Sequence, residues 1–321
     1  MSKLIAQIVT FGQEDKIGFS VYDPAMGSGS LLLQAKNYLH NTPQLKRKDK
    51  VQFFGQEIKN QTYNLARMNM MLHKIPTSMQ HLRNGDTLDY DWPIEEPTNF
   101  DAVVMNPPYS QKWGAKKALL ADPRFSPYRK LPPPSKADYA FLLHGFYHLK
   151  NTGTMGIVLP HGVLYRDNAE AAIREALLRS GRIYAVIGLP PGIFYSTEIT
   201  TCIVVLKKDT TSRDVLFIDA SREFTKNKAK NLLEEKHIEK IFKAYKERKD
   251  IERFAHLASF EELEQNGFNL NISRYVDSTP AEEEIELNTV FSELKTIDAE
   301  LDTLAKDLNK KFQELGLSQK I

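Results

Sequence analysis

The sequence predicts an α/β fold in which helices cover both faces of a doubly wound, mostly parallel sheet. Short segments rich in Val, Ile, Phe and Leu alternate with segments whose apolar residues recur at three- and four-residue steps, as far as about residue 220. This alternation is typical of βαβ units, which bind ligands at the carboxyl ends of their strands. The 321 residues, 41% of them hydrophobic, are enough to bury a sizeable core.

The predicted strands and helices follow one another in regular order. Strands are predicted over residues 18–22, 51–56, 82–84, 100–105, 154–159, 183–188, 202–207 and 215–218, and helices over residues 30–39, 61–73, 138–149 and 168–179. The link between Gly188 and Cys202 is too short for a crossover helix, so the strand at 202–207 is expected to be antiparallel. A Rossmann-like sheet closed by one antiparallel strand resembles the plan of the S-adenosylmethionine-dependent methyltransferases.

Composition and residue spacing argue against several classes of protein. The net charge of +2 does not by itself indicate a nucleic-acid partner. The single cysteine, Cys202, lies in an apolar run, so we expect a buried thiol and neither an intramolecular disulfide nor a cysteine metal site. The histidines at His73, His144, His148 and His161 lack metal-ligand spacing, and no metal is expected. No apolar run is long enough for a signal peptide or a membrane span, so we expect a cytoplasmic protein.

The first candidate site is VYDPAMGSGS, residues 21–30, where a predicted strand ends at Asp23 and a Gly27-x-Gly29 turn leads into a helix. Glycines let the backbone approach a ligand closely. The dinucleotide fingerprint would need a third glycine where Leu32 stands, and a phosphate-binding loop would need a Gly-Lys-Ser or Gly-Lys-Thr ending. Asp23 would repel a pyrophosphate but attract an amino group or a sulfonium. A strand-to-helix turn without a ligand is the alternative.

Two further acidic residues follow predicted strands. Glu57 follows the second strand, where a carboxylate of a nucleotide-binding α/β fold accepts hydrogen bonds from ribose hydroxyls. Asp86 follows the third strand and could accept a hydrogen bond from the exocyclic amine of an adenine. Each residue alone could be a solvated carboxylate or a helix cap. Their placement at successive strand ends favours a nucleoside site.

The stretch FDAVVMNPPYS, residues 100–110, runs from an apolar strand into Asn106, Pro107, Pro108 and Tyr109. The Asn106 side-chain carbonyl and the Pro107 main-chain carbonyl can accept hydrogen bonds from both hydrogens of a base amine and turn its lone pair toward a methyl donor. Tyr109 offers a flat face for an extruded base. A proline-rich turn or peptide-recognition segment is the alternative.

Residues 111–136, just after this stretch, combine basic residues with Trp113, Phe125 and Tyr128. Such a segment suits phosphate contact beside an extruded base, and Lys112 is its first basic residue. A solvated surface loop is the equally simple interpretation.

Several of these stretches resemble known motifs. DPAMGSG at 23–29 resembles motif I of amino-methylating DNA methyltransferases and NPPY at 106–109 their motif IV, in the order of the adenine-N6 class. More narrowly, the chain is similar to the modification (M) subunit of type I restriction-modification systems. The similarity lies in GIVLPHGVLYR at 156–166, LPPGIFYSTEITTCIVVL at 189–206 and NLNISRYVD at 269–277.

The resemblance implies an enzyme that methylates the N6 amine of adenine, with S-adenosylmethionine as cofactor. Its cofactor-binding residues would be Asp23, Pro24, Ala25, Gly27, Ser28, Gly29, Glu57 and Asp86. Residues 106–109 would be catalytic, and Tyr109, Phe194 and Lys112 would face the target base or the DNA. The implied partners are double-stranded DNA, a specificity (S) subunit that sets the recognition sequence, a second M subunit and a restriction (R) subunit, in the bacterial cytoplasm.

Three segments are expected along the chain: a catalytic domain at 1–220, a largely helical connection at 221–279 and a helical tail at 280–321. In the tail an apolar stripe recurs at alternating four- and three-residue steps, at Val290, Leu294, Ile297, Leu301, Leu304 and Leu308. Such a stripe would either dock on another subunit or fold back on the catalytic domain.

The chain departs from the family pattern at its beginning. Family members carry a helical domain and a Tyr-Thr-Pro type segment ahead of motif I, and this chain is expected to begin after both. A catalytically incomplete scaffold fragment is therefore one alternative function, and a nucleotide-dependent oxidoreductase is another.

Overall fold

A computed structural model describes residues 1–13, 16–41, 46–89, 92, 99–194, 199–227, 230–278 and 287–316. The chain divides into two compact units, residues 1–278 and residues 279–321.

The first unit is built on a central sheet. Within the described residues this sheet has nine strands, in the order β11-β8-β6-β7-β5-β4-β1-β2-β3. Their bounds are β1 Ile17–Asp23, β2 Lys46–Glu57, β3 Gln80–Asn84, β4 Phe100–Met105, β5 Leu149–Pro160, β6 Ile183–Gly188, β7 Thr201–Lys207, β8 Val215–Asp219 and β11 Ala255–Ala258. A separate ribbon pairs β9 (Thr225–Lys226) with β10 (Asn231–Leu232) in antiparallel fashion.

The predicted fold class is confirmed, since most neighbouring strands of the central sheet run parallel. As expected, β7 is antiparallel, and it lies between β5 and β6. The sheet also has a second antiparallel strand, β11, which pairs with β8 at the edge and which the sequence pattern did not reveal. Its four residues, AHLA, are too short and too weakly alternating to predict a strand.

Helices cover both faces of the sheet. The helices of the first unit are α1 Ser2–Thr10, α2 Ser30–Asn41, α3 Asn60–Leu72, α4 Asp138–Tyr147, α5 Ala169–Arg179, α6 Glu235–Glu247 and α7 Phe260–Gln265. One apolar layer is formed with α1, α2, α3 and α6, and the other with α4, α5 and α7. Strand β4 is buried along its whole length because its side chains enter both layers, Val103 one and Val104 the other. The thiol of Cys202 on β7 is buried, as predicted.

The order of the strands defines where a ligand site can form. From β1 the chain moves outward to β2 and β3, and β4 then lies on the other side of β1, pairing Tyr22 with Val103. In open α/β sheets a crevice forms at such a reversal, beyond the carboxyl ends of the two strands. The loops after β1 and β4, which carry the two predicted motifs, therefore meet.

The second unit is described from residue 287 and contains α8, Leu287–Glu314. Its predicted apolar stripe is exposed, from 38% at Val290 to 65% at Leu304. The parts of the predicted tail at 280–286 and 317–321 lie outside the described residues.

Gly55 provides a test of packing beneath the loop that follows β1. It pairs with Asp23, and an added Cβ would collide with Met26 Sδ and lie 3.1 Å from both Leu32 Cδ1 and Leu82 Cδ2. We expect Gly55→Ala to lower the free energy of unfolding by about 1–3 kcal/mol, because overpacking displaces buried side chains. Urea denaturation measures this loss. Gly114→Ala, where an added Cβ meets nothing within 4 Å, is the control, and equal stability of the two variants would contradict the expected crowding.

Candidate active site

A cavity of about 310 Å³ lies at the carboxyl ends of β1 to β4. Predicted site residues that line it are Pro24, Ala25, Gly27, Glu57, Asp86, Asn106, Pro108 and Lys112. Motif I, the two strand-end acids and the Asn-Pro-Pro-Tyr stretch thus contribute to one cavity. A larger groove of about 760 Å³ lies near the amino ends of β5 and β6, around Tyr128 and Lys208, and none of the predicted site residues line it.

Sequence reasoning missed other residues of the smaller cavity. They are Gln56, Ile58, Lys59, Thr62, Gly85, Thr87, Leu88, Gln111, Trp113 and Phe141. Most are immediate neighbours of predicted site residues in the sequence. Their position next to those residues was the one sequence feature that could have predicted them. Phe141 is different, because it comes from α4 and only the tertiary fold brings it to the cavity.

Asp23 lies behind the loop, 1% exposed, and does not itself line the cavity. Its Oδ1 accepts a hydrogen bond from Ala25 N at 3.0 Å, whereas its buried Oδ2 has no partner within the described residues. Burial raises the pKa of Asp23 to about 8; the Ala25 hydrogen bond counters this in part, and the Glu57 carboxylate adds to it. A cationic ligand group that reached Oδ2 would satisfy this oxygen and favour the ionised carboxylate.

Glu57 connects the ends of β1 and β2. Its Oε2 accepts from Gly27 N at 3.1 Å and its Oε1 from Lys59 N at 2.8 Å. Each carboxylate oxygen can accept more than one hydrogen bond, so this orientation leaves capacity for ligand hydroxyls. Asp86 is exposed at the cavity wall, where its Oδ1 accepts from Leu88 N at 2.9 Å.

The two glycines of the turn serve different purposes. Both have left-handed φ angles, +55° at Gly27 and +81° at Gly29. At Gly27 an added Cβ would meet nothing within 4 Å, so the backbone is open on this side. At Gly29 it would lie 3.1 Å from Met70 Cε on α3, so this glycine is needed for helix packing. Ser28 and Gly29 are both absent from the cavity wall, and the Ser28 carbonyl accepts from Asn69 Nδ2 at 2.9 Å.

The catalytic candidates follow β4 directly. Tyr109 donates its hydroxyl hydrogen to Asn106 Oδ1 at 2.6 Å, so the two side chains predicted to handle a base are joined to each other. Phe194 meets the Tyr109 ring edge to face, with centroids 6.4 Å apart. Pro107 is buried, whereas Pro108 is exposed at the cavity. Burial raises the pKa of Tyr109 far above its usual value, so Tyr109 remains a neutral phenol and cannot act as a base near neutral pH.

A buried polar network supports the cavity wall from behind. Thr87 donates its hydroxyl hydrogen to the Pro24 carbonyl. Arg124 Nη1 donates to the Thr87 carbonyl at 3.1 Å and approaches His144 Nδ1 at 3.2 Å. A guanidinium only donates, so His144 Nδ1 accepts, and its Nε2 carries the proton that faces Tyr22 Oη 2.9 Å away. Burial, followed by the nearby His148 and Arg124, lowers the pKa of His144 well below its ordinary value, which keeps the ring neutral.

The structure corrects one expectation for residues 111–136. Phe125 is fully buried, and its ring centroid lies 5.6 Å from that of Trp113. The segment folds back over α4, and its aromatic residues fill the apolar space beneath it. Trp113 lines the cavity and donates its indole N–H to the Pro133 carbonyl at 3.0 Å. The Phe125 ring is therefore not available to contact DNA, whereas Trp113 is only partly buried. The exposed basic residues of the segment are Lys112, Lys116, Lys117, Arg129 and Lys130.

Neither a metal-ion site nor a membrane-spanning helix is seen in the described part of the chain. There, no group of three or more His, Cys, Asp or Glu side chains could hold a metal ion. Among the same residues, no helix has both the length and the apolar character needed to cross a membrane.

The fold and the site define a methyltransferase-like α/β protein, and comparison with known proteins identifies its family. The N-6 DNA methylase family model matches residues 1–284, and the chain belongs to this family. The methylase subunit of the type I restriction enzyme MpnII from Mycoplasma pneumoniae is 39% identical over 320 residues, covering 96% of this chain and 58% of that protein. The MjaVIII methylase subunit of Methanocaldococcus jannaschii is 32% identical, over 92% of this chain and 52% of that protein.

Solved structures agree with these matches. The crystal structure of a type I restriction-modification methyltransferase subunit from Streptococcus thermophilus superposes with a TM-score of 0.83 and 60% identity, covering 86% of this chain and 58% of that one. The EcoKI M protein, at 20% identity and a TM-score of 0.64, shows the shared fold. The chain spans about half the length of the curated relatives it matches.

Ionisation of Asp23 is expected to make stability fall as pH rises. The folded carboxyl keeps its proton up to a pKa of about 8, whereas the unfolded chain loses it near pH ~3.9. Between these values the folded state binds more protons, so this group lowers the free energy of unfolding by up to about 1.4 kcal/mol per pH unit. Asp23→Asn cannot ionise and should lose less stability than the wild-type chain between about pH 5 and about pH 7.

Urea denaturation without added ligand at several pH values measures this difference. Asp209→Asn, which changes an exposed aspartate, should keep the wild-type dependence on pH. If Asp23→Asn also keeps it, the buried carboxyl does not hold a proton in the folded state.

Proposed function

We propose that this chain is the catalytic core of the modification subunit of a type I restriction-modification system. It transfers a methyl group from S-adenosylmethionine to the N6 amine of an adenine flipped out of double-stranded DNA, at sites chosen by a separate specificity subunit. Family membership and likeness to type I methylase subunits support this proposal. The observation that carries it is the convergence of Asn106 with Glu57 and Asp86 in one cavity.

The residues around the cavity fit a cationic nucleoside cofactor. Asp23 holds a buried carboxylate oxygen with no partner among the described residues, and Gly27 leaves the neighbouring backbone open. Glu57 is oriented by two main-chain N–H groups to accept from ribose hydroxyls, and Asp86 would accept from the adenine amine. When bound, S-adenosylmethionine supplies a methyl group activated by its sulfonium. A dinucleotide fits less well, since its pyrophosphate would approach the Glu57 carboxylate on the cavity wall.

Asn106 and its neighbours would handle the target amine. The Asn106 side-chain carbonyl and the Pro107 main-chain carbonyl each accept a hydrogen bond from the target amine. Together these hydrogen bonds orient the nitrogen lone pair toward the methyl donor. The nitrogen becomes acidic only as its new bond to carbon forms, so its proton can pass to water without a strong base. Tyr109 exchanges its hydrogen bond to Asn106 for stacking on the base, beside Phe194.

Exposed basic residues support contact with DNA next to the cavity. Lys112 lies on the cavity wall, and Lys117, Arg129 and Lys130 follow it along the same exposed segment. Lysine and arginine at such positions neutralise backbone phosphates without reading the sequence.

The tail would connect this catalytic core to its partners. We assign residues 1–220 to the catalytic domain, 221–279 to a connecting segment that adds β11 to the edge of its sheet and 280–321 to subunit docking. The exposed stripe on α8 supports the last assignment, because an apolar stripe on a charged helix is stabilised by burial against another helix. The full assembly would add the specificity subunit, a second modification subunit and the restriction subunit.

Asn106→Ala should abolish methyl transfer and leave cofactor binding nearly unchanged. Asn106 touches the target amine and not the cofactor in this mechanism, and loss of one such acceptor lowers the rate by about 10²–10³-fold. Glu57→Ala should instead weaken cofactor binding first. Single-turnover transfer to DNA in the complex reconstituted with the specificity subunit gives the rate, and isothermal titration with S-adenosylmethionine and S-adenosylhomocysteine gives the affinity.

Two matched variants serve as controls. Asn151→Ala changes an exposed asparagine on the groove near the amino ends of β5 and β6, and Glu175→Ala removes an exposed partner of Arg179. Turnover near the wild-type rate in Asn106→Ala would overturn the proposed mechanism. Wild-type affinity in Glu57→Ala would overturn the assignment of the cofactor site, and binding of a nicotinamide nucleotide in preference would favour an oxidoreductase.

Deletion of residues 280–321 should leave cofactor affinity unchanged and abolish co-purification with the specificity subunit. The double variant Ile297→Glu, Leu304→Glu should reproduce the loss, because both side chains lie on the apolar stripe. Thr296→Glu with Thr303→Glu keeps the same seven-residue spacing on the polar side of α8 and should assemble normally. Assembly of the deleted chain, or unfolding of its catalytic part, would refute the docking role.

A further inference from the structure

The proposed catalytic stretch, residues 106–109, is followed by an unfavourable backbone conformation. Ser110, the residue after Tyr109, has a φ angle of +51°. Left-handed backbone is strained for a residue with a side chain, and such a conformation persists only where the surroundings hold it. The backbone around Tyr109 therefore depends on contacts from elsewhere in the chain.

Asp138 provides that contact. It lies in the first turn of α4, its side chain is fully buried, and its Oδ1 accepts from Ser110 N at 2.8 Å. The Ser110 hydroxyl is 3.5 Å from Asp138 Oδ2. Next to this pair, Ala137 N donates to the Gln111 carbonyl at 2.8 Å. The end of the catalytic stretch is thus fastened to the beginning of α4.

Arg166 fixes Asp138 in turn. Its Nη2 donates to Asp138 Oδ2, and its guanidinium also holds Glu170 in the first turn of α5. Burial would lower the pKa of Arg166, but the hydrogen bonds that it donates to Glu170 and Asp138 raise this pKa above its ordinary value. One arginine thereby links the beginnings of α4 and α5, and it holds the Asp138 carboxylate with one oxygen directed at Ser110.

We propose that Asp138, oriented by Arg166, is a positioning residue that holds Ser110 in its left-handed conformation and thereby sets the geometry of Asn106 and Tyr109 for methyl transfer. This inference rests on the proposed function, because it concerns the same catalytic stretch. Neither Asp138 nor Arg166 lines the cavity, so neither touches cofactor or base.

Substitutions of Ser110 test this positioning role most directly. Its side chain is exposed, so substitutions there leave the core and the Asp138–Arg166 contact intact. Ser110→Gly adopts positive φ readily and should retain the wild-type rate, whereas Ser110→Val is disfavoured there. We expect Ser110→Val to lower the single-turnover rate about 10- to 100-fold, since a misplaced catalytic group costs rate of this order.

Asp138→Asn tests the other side of the contact. The aspartate accepts on both oxygens, from Ser110 and from Arg166, whereas an amide of the same shape can accept on only one. Its transfer rate should fall about 10-fold or more, with the affinity for S-adenosylmethionine within about twofold of wild type. Adding Ser110→Gly to Asp138→Asn should recover part of the rate, which a merely structural role of Asp138 would not produce. Arg179→Gln, which breaks an exposed ion pair with Glu175, is the control.

Hydrogen exchange of the Ser110 amide separates this inference from the proposed function. The exchange needs only the 321-residue chain and should be faster in Asp138→Asn than in wild type or in Arg179→Gln. If the wild-type complex transfers no methyl group, the proposed function fails while the exchange still reports the contact. Wild-type rates in both Ser110→Val and Asp138→Asn, or rate losses that only follow weaker cofactor binding, would overturn the positioning role. If Asp138→Asn does not fold, the comparison of Ser110→Val with Ser110→Gly decides alone.

Discussion

The carboxyl ends of β1 and β4 share one crevice because these neighbouring parallel strands lead into connections on opposite sides of the sheet. Both strands are buried between two apolar layers, so polar chemistry can appear only where they end. Asp23 and Asn106 are the last residue of β1 and the first after β4. The meeting of an acidic turn and an amide-proline loop therefore follows from strand order before any side-chain contact is considered.

Around this crevice, longer-range contacts orient the loops. Thr87 and Arg124 connect the turn after β1 to the segment that follows the 106–109 stretch. Asp138 and Arg166 fasten the other end of that stretch to two helix beginnings. Both networks include α4, through His144 in the first and Asp138 in the second, so this one helix supports the two loops together.

Most of the architecture could be predicted from the sequence, since apolar periodicity marks strands and helices and short links limit strand direction. Strand β11 could not, because four residues carry too little pattern. In the candidate site, residues that directly follow a predicted strand could also be predicted, as Glu57 and Asp86 show. The burial of Phe125 could not be predicted, because an aromatic residue in a basic loop has the same neighbours in sequence whether it is exposed or buried. Asp138 was recognisable only as a helix beginning, since its contact with Ser110 spans 28 residues.

The hydrogen bond from Tyr109 to Asn106 has a consequence for selectivity. In the free protein the Tyr109 hydroxyl occupies Asn106 Oδ1, the oxygen that would accept a hydrogen bond from an incoming amine. Replacing this hydrogen bond gives up about 0.5–1.5 kcal/mol, whereas stacking of a base on the released ring returns about 1–3 kcal/mol. In the proposed mechanism a flat heterocyclic amine would gain more than it displaces, whereas ammonia or a lysine side chain would bring no ring to stack on Tyr109. The loop would thus discriminate by shape among nucleophiles that share the same N–H donors.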